Sequence, residues 1–256
     1  MNKVLLVTGG SRGIGAASAL LAAQQGWAVA VNYTANSLAA DEVVRQIRSA
    51  GGHAIAVQAD VADEAQVLRM YEHIDAKLGR LSGLVNNAGV VDVYARVADM
   101  SVARLKRMFD INVMGSLICA REAVRRMSTR YGGEGGSIVN VSSAHALIGR
   151  KGMGLYDSTK AGMLAMTRTL AFEEVQHGVR VNAVCPGSTF TDFHIGRAVA
   201  AGKSPEQLKT ERAGNSLMGR WAEPQEMAWP IVWLASDEAS FITGATLMAD
   251  GGLSIM

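Results

Sequence analysis

Apolar residues fall into short unbroken runs along the chain, and the stretches between them carry helical spacing. The runs are Val4 to Val7, Ala28 to Val31, Ala54 to Val57, Leu84 to Asn86, Ser137 to Val141 and Val179 to Val184, with a last one near Phe241 to Met248. Continuous rather than alternating hydrophobicity marks strands covered on both faces, as in a parallel sheet with helices on each side. One intervening stretch places Val102, Leu105, Phe109, Val113 and Leu117 at steps of 3, 4, 4 and 4, which predicts a helix whose apolar stripe faces the sheet. Ala161 to Phe172 is apolar nearly all round. A sheet on one side cannot cover such a helix, so a second surface is expected to bury the rest. The alternation predicts an α/β fold: a Rossmann-type doubly wound parallel sheet of about seven strands with helices on both faces.

The length of 256 residues suits one domain of this kind, and no low-complexity linker or internal repeat divides it. Ser188 to Arg220 breaks the alternation: it is polar, carries Lys203, Lys209 and Arg212, and lacks a sheet-type run, which predicts a lid-like insertion. With 49% apolar residues, 19% charged residues and a formal charge of +2, the composition suits a compact protein and gives no basic surplus for nucleic acid. Cys119 and Cys185 lie in apolar contexts without framework spacing and read as reduced core residues. The five histidines show no metal-ligand spacing, so no metal is expected. The opening apolar run is cut by Gly9 too early for a signal peptide, and no stretch approaches a membrane span. A cytoplasmic location is expected.

The stretch TGGSRGIG, residues 8 to 15, admits two readings. Gly9 to Gly13 satisfies G-x-S-x-G, the pattern of a hydrolase nucleophile elbow. A hydrolase elbow follows a late strand and takes an oxyanion donor from an earlier loop. Ser11 has only ten residues before it, so no earlier loop exists. A glycine turn between the first strand and first helix is instead where a dinucleotide pyrophosphate binds, because free N–H groups and the helix dipole favour its charge. Ser11 and Arg12 then become ligand donors.

The spacing Gly9-x3-Gly13-x-Gly15 resembles the glycine turn of the short-chain dehydrogenase/reductase family. Further matches follow in the family's order: NNAG at Asn86 to Gly89, Asn112 in the striped helix, Ser142 and Ser143 ending the fifth strand, Tyr156 thirteen residues after Ser143, Lys160 four further on, Pro186-Gly187 with Thr191 beyond, and DGG at Asp250 to Gly252. The resemblance runs from Val4 to Gly252 and is closest to the sugar dehydrogenase and 3-oxoacyl-carrier-protein reductase branches. It implies a cofactor-binding set of Gly9, Ser11, Arg12, Gly13, Ile14, Gly15, Asp60, Val61, Asn87, Ala88, Gly89, Tyr156, Lys160, Pro186, Gly187, Thr189 and Thr191. Asp60 would contact the adenine amine, or else serve as a helix N-cap.

The chemistry can be argued from the residues. Tyr156 and Lys160 are i and i+4, on one face of a helix. A free phenol has a pKa of roughly 10, and an ammonium at about 4 Å lowers it toward the working range, making Tyr156 a usable general acid/base. A hydroxyl such as Ser143 can stabilise the developing charge on a substrate oxygen. The resemblance implies these roles, adds a grip on the nicotinamide ribose to Lys160, and has Asn112 sustain a water in a proton relay. The end of the second strand, VNYTANS, lacks the carboxylate that binds a ribose 2′-hydroxyl. NADP(H) is therefore expected, with Arg12, Asn32, Tyr33 and Thr34 near the 2′-phosphate and NAD(H) left open. The expected substrate is a small alcohol or carbonyl, with Phe190, Phe193 and His194 shaping its pocket. His145, Arg150 and Lys151 either meet an anionic substrate group or form a solvated loop. Two alternatives remain: a 3-oxoacyl-carrier-protein reductase with Lys203, Lys209 and Arg212 as its basic patch, or a non-catalytic dinucleotide sensor. The resemblance also implies a homo-oligomer, a tetramer or dimer, assembled through the Ala161 to Phe172 helix.

Overall fold

A computed structural model describes residues 3–92, 94–200, 202–211 and 216–256. Its strands are β1 (Val4–Val7), β2 (Ala28–Tyr33), β3 (Ala54–Gln58), β4 (Leu81–Asn86), β5 (Gly136–Val141), β6 (Val179–Pro186) and β7 (Thr246–Ala249). All neighbours pair in parallel, in the order β3-β2-β1-β4-β5-β6-β7. The order reverses between β1 and β4, which opens a crevice beyond their carboxyl ends where open α/β sheets bind ligands.

Helices α1 (Gly13–Gln24), α2 (Ser37–Ser49) and α9 (Pro224–Ala235) cover one face of the sheet, while α3 (Glu64–Leu78), α5 (Gly115–Met127) and α6 (Gly154–Glu174) cover the other. β1 shows why its sequence is apolar at every position. Val4 and Leu6 point into the layer of Val67, Met70, Tyr71 and Cys119, whereas Leu5 and Val7 point into that of Ala19, Ala22, Val43 and Ile231. Each of these four side chains is buried, which contributes roughly 1.5–3 kcal/mol apiece.

Two expectations about apolar surface need correction. The stripe predicted from Val102 to Leu117 does not face the sheet: Val102 is 77% exposed, Phe109 41% and Leu117 39%. The segment is α4 (Val102–Phe109), a π-helical turn at Asp110–Met114, and then α5. One extra residue in a turn advances all later positions by about 100°. The face turned inward is small or polar, with Asn112, Gly115, Ser116, Cys119 and Ala120. It must be small, because a Cβ on Gly115 would stand 2.7 Å from Val61 Cγ2. In α6, Met163, Leu164 and Met166 are buried by the chain itself, so the uncovered face narrows to Ala161, Ala165 and Phe172. The last strand also starts later than its apolar run, and Phe241 is fully exposed ahead of it.

Between β6 and α9 the chain forms α7 (Asp192–Ala200) and α8 (Pro205–Glu211). They gather Phe190, Ala198, Leu208 and Trp221 into a separate small cluster. Among the described residues, no helix is long and apolar enough to cross a membrane, and no three His, Cys, Asp or Glu side chains gather as metal ligands. Cys119 and Cys185 are free and buried.

Within the layer on the α3 side, α3 and α5 are joined by a buried polar contact, the Tyr71 hydroxyl donating to the Cys119 carbonyl at 2.6 Å. Tyr71→Phe is expected to lower the unfolding free energy by about 1 kcal/mol, measured by urea denaturation, with cofactor binding retained.

Candidate active site

The glycine turn is locked from two directions. Gly9 and Gly13 have φ of +61° and +55°, a region that an L side chain rarely occupies. A Cβ on Gly15 would lie 2.5 Å from Asn87 Nδ2. From β4, Asn87 Nδ2 donates to the carbonyls of Thr8 (2.9 Å) and Gly9 (3.1 Å), and the N–H groups of Asn87 and Ala88 both donate to Thr8 Oγ1 at 3.0 Å. From β2, Asn32 Oδ1 accepts the Gly9 N–H at 3.1 Å. The first turn of α1 has no side-chain cap and no acidic residue, and its N-cap is the exposed Arg12 in extended conformation. Uncapped N–H groups on a backbone without side chains fit the pyrophosphate of a dinucleotide. Thr191 borders this turn, its Cγ2 3.4 Å from where a Cβ on Gly13 would stand. On the opposite wall, Gly187 has no room for a side chain beside Asp250, whose carboxylate accepts the N–H groups of Gly252 and Ser254. Thr189 is buried, its hydroxyl on the Gly187 carbonyl at 3.2 Å.

The strand ends also bring together Ser143, Tyr156, Lys160 and Asn112. Tyr156 and Lys160 lie on α6, and Ser143 lies at the end of β5. The Ser143 side chain acts on the Tyr156 phenol to lower its pKa, and Ser143 Oγ accepts the His145 N–H at 3.2 Å. Lys160 Nζ is 5.9 Å from the Tyr156 ring centre. It is buried, donates to the Val141 carbonyl at 2.8 Å and lies 3.4 Å from Met163 Sδ. An ammonium has three donors, so one carbonyl and a weak thioether leave it short of acceptors. A Cβ on Gly89 would stand 3.4 Å from that nitrogen and 3.3 Å from Asn112 Oδ1, so NNAG brings the β4 loop close to the catalytic helix.

Burial dominates the electrostatics. It pushes the Tyr156 phenol up to about 12, against the hydrogen bond from Ser143 and the charge of Arg150, and it pushes the Lys160 ammonium down to about 8. The Tyr156 side chain keeps part of its surface in solvent. The expected lowering of the phenol by Lys160 is thus not the leading effect in the chain itself, where Ser143 and Arg150 oppose burial.

Two residues are more fully committed than their sequence roles require. Asn112 Nδ2 donates to the Val90 carbonyl (2.9 Å) and Thr159 Oγ1 (3.0 Å), and its Oδ1 accepts the Val90 N–H at 2.8 Å. Asn32 is 1% exposed, with its amide donating to Val57, Tyr33 and Ala59 carbonyls. It therefore holds the turn and presents no surface to a phosphate, unlike the exposed Thr34 and half-buried Tyr33. Asp60 is not the cap of α3, since Asp63 fills that role, with Oδ1 accepting the Gln66 N–H at 3.1 Å. Asp60 instead closes a tight turn onto the Ala62 N–H, next to the buried Val61. In the lid, Phe190 and His194 lie edge-on to Trp221, at 5.9 and 5.0 Å between ring centres. Arg212 and the Phe193 side chain lie outside the described residues.

Residues 9–254 match the family model described as enoyl-(acyl carrier protein) reductase. A double variant of a Serratia marcescens short-chain dehydrogenase/reductase superposes with a TM-score of 0.88 at 32% identity, covering 98% of each chain. The chain belongs to the short-chain dehydrogenase/reductase family. It is therefore an oxidoreductase of a family that uses nicotinamide cofactors. Among its relatives, the uncharacterized oxidoreductase YgfF of Escherichia coli (strain K12) is 43% identical over 250 residues, 97% of this chain and 99% of that protein. The cis-4-hydroxycyclohexanecarboxylate dehydrogenase of Sinomonas cyclohexanicum is 38% identical, over 98% and 96%. Proteins named glucose 1-dehydrogenase and 3-oxoacyl-[acyl-carrier-protein] reductase are also similar to it, as the resemblance to those two branches implies.

Around this short-chain dehydrogenase/reductase site lies a layer of polar residues to which the sequence motifs assigned no role. Asn86 Nδ2 donates to Asn140 Oδ1 (3.0 Å) and to the Ser116 carbonyl, and Asn140 Nδ2 donates to Thr167 Oγ1 at 2.8 Å. Ser142 Oγ donates to the Lys160 carbonyl at 2.8 Å. Asparagines inside otherwise apolar strands were the available signal, since a buried amide requires partners on neighbouring elements. Thr8 is the most consequential of these positions. Thr8→Val strands the Ala88 N–H and leaves that of Asn87 only the Val85 carbonyl, so it is expected to cost about 1–3 kcal/mol in chemical denaturation, while Thr8→Ser stays near the native value.

Proposed function

We propose that the chain is an NADP(H)-linked oxidoreductase that moves hydride between nicotinamide and a small alcohol or carbonyl substrate. The observation that carries this reading is Tyr156 next to the buried Lys160 ammonium, 5.9 Å from its ring centre, with Ser143 acting on the same phenol. Hydride transfer is the chemistry a bound nicotinamide supplies. Gly9, Ser11, Arg12, Gly13, Ile14 and Gly15 would hold its pyrophosphate, Asp60 and Val61 the adenine, and Asn87, Ala88, Gly89, Pro186, Gly187, Thr189 and Thr191 the nicotinamide half. With its pKa held high, Tyr156 keeps its proton at neutral pH and gives it to the substrate oxygen in reduction. Ser143 donates a hydrogen bond to the same oxygen. Lys160, short of acceptors, takes the ribose hydroxyls, and Asn112 anchors the wall behind them through Val90 and Thr159.

Preference for NADP(H) rests on charge: the end of β2 offers Tyr33 and Thr34 but no carboxylate, and Arg12 stands exposed at the head of α1. A small substrate is favoured over a carrier-bound one because the two described cations proposed for a carrier are already paired. Lys203 meets Glu211 at 2.7 Å and Lys209 meets Glu223 at 3.2 Å. The relative named for a hydroxycyclohexanecarboxylate points to secondary alcohols of modest size.

Two separate apolar faces support assembly as a tetramer. One joins the outward stripe of α4 and α5 to Phe172 on α6, and the other joins Trp229 and Trp233 on α9 to Phe241 and Ile255 beside the β7 edge. Two distinct self-complementary faces generate a dihedral tetramer.

Tyr156→Phe is expected to lower NADPH-linked turnover by about 100-fold or more while cofactor titration by fluorescence is unchanged, and native turnover is expected to be higher with NADPH than with NADH. Unchanged turnover in the variant would refute the role of Tyr156. Light scattering at micromolar concentration is expected to return four times the chain mass, and a monomer mass would remove the assembly.

A further inference from the structure

The stretch between the active-site serine and the active-site tyrosine holds two buried polar atoms without a hydrogen-bond partner, His145 Nδ1 and Arg150 Nε, and a third, Asp157 Oδ1, follows directly after the tyrosine. Buried polar atoms are ordinarily satisfied, and a cluster of orphans marks a place where something else completes the bonding. Arg150 is the charged member. Its guanidinium carbon lies 5.3 Å from the centre of the Tyr94 ring, and it makes no ion pair among the described residues.

The surrounding backbone fixes that position. The Arg150 N–H donates to Asp157 Oδ2 at 3.3 Å and its carbonyl accepts the Met153 N–H at 3.0 Å. Gly152, at φ +79°, packs against Tyr94, where a Cβ would stand 3.1 Å from Tyr94 Cβ, and its carbonyl accepts the Ala95 N–H at 3.1 Å. The two loops are thereby tied together, with Tyr94 behind the guanidinium.

We propose that Arg150 is a specificity-determining residue that receives a carboxylate carried on the substrate, so that the preferred substrates are hydroxy-acids and oxo-acids. A guanidinium stacked on a ring presents its edge as a planar fork, which matches a carboxylate with two parallel hydrogen bonds. The Arg150 backbone is held at 3.3 Å by Asp157, the residue next to Tyr156 on α6, which places Arg150 near the reacting centre. The neighbouring groups set the charge of the ligand. His145 is held down to about 4 by burial and by Arg150, so it is neutral and offers Nδ1 as a hydrogen-bonding atom. Burial raises the Asp157 carboxyl while Arg150 opposes that rise, and Lys151 is exposed. One committed cation suits a monoanion better than a phosphate.

This inference rests on Tyr156 acting as the proton donor, and the experiment separates the two. NADPH-linked reduction is measured for 4-oxopentanoate, 5-oxohexanoate and 3-oxocyclohexanecarboxylate, each against its methyl ester, in the native chain and in Arg150→Met, Arg150→Lys and Tyr156→Phe. The native chain is expected to favour acid over ester by about tenfold or more in kcat/KM, mainly through KM. That ratio falls to about one in Arg150→Met and is partly kept in Arg150→Lys. Equal use of acid and ester by the native chain, or a ratio unmoved in Arg150→Met, overturns the role of Arg150. Turnover that survives in Tyr156→Phe overturns the proton-donor reading instead. Calorimetric binding of the same acids and esters to the NADP+ complex reads the preference without turnover. Tighter binding of the acids that is lost in Arg150→Met supports the inference, and equal binding of acid and ester overturns it.

Discussion

A lysine ammonium buried against the end of the sheet is the constraint around which this molecule is arranged. Removing such a charge from water costs several kcal/mol, and at Lys160 burial outweighs every compensating contact, which leaves the group easier to deprotonate than a surface lysine. The chain meets that cost with rigidity. The Val141 carbonyl at the end of β5 accepts from the ammonium, Ser142 holds the Lys160 carbonyl, and Asn140 ties the same strand to Thr167 one helical turn beyond Met163. Strand β5 and helix α6 thus act as a single body, and Ser143 and Tyr156 inherit their relative position from it.

The wall facing Lys160 is built by the π-helical turn that carries Asn112. Its inward side is small and polar so that the helix can come close to β4 and Val61, and its amide is wholly spent on Val90 and Thr159. The outward side of the same segment is apolar. A π-helical turn commonly marks a functional site, and here it changes the rotational phase of the helix between a stretch that faces outward and one that lines the active site.

Much of this was readable from residue order. The seven apolar runs correspond to the seven strands, and the glycine turn, NNAG, the serine pair, Tyr156 and Lys160 all come together beyond the carboxyl ends of the central strands. Failures had physical causes. The stripe from Val102 to Leu117 was assigned to the sheet because period alone cannot tell a face that meets the core from one that meets solvent, and because the extra residue of a π turn leaves no compositional trace. Asn32 was read as a cofactor contact because its place at the end of β2 says nothing about where its amide points; the carbonyls of Val57 and Ala59, on a strand over twenty residues away, decide that. The high pKa of the Tyr156 phenol was equally hidden, since burial is a property of the packed loop and not of the i to i+4 spacing.

The clamp on the glycine turn has a consequence for how the molecule is made. The turn precedes all its fastenings in the chain, which come from Asn32, Asn87 and Ala88. Residues 8 to 15 can take the Asn32 contacts once β2 has formed, and the Asn87 and Ala88 contacts only when β4 has inserted beside β1. Because the sheet places β4 between β1 and β5, this insertion joins the two halves of the fold. The glycine turn is thus fully fastened in the same event that closes the centre of the sheet.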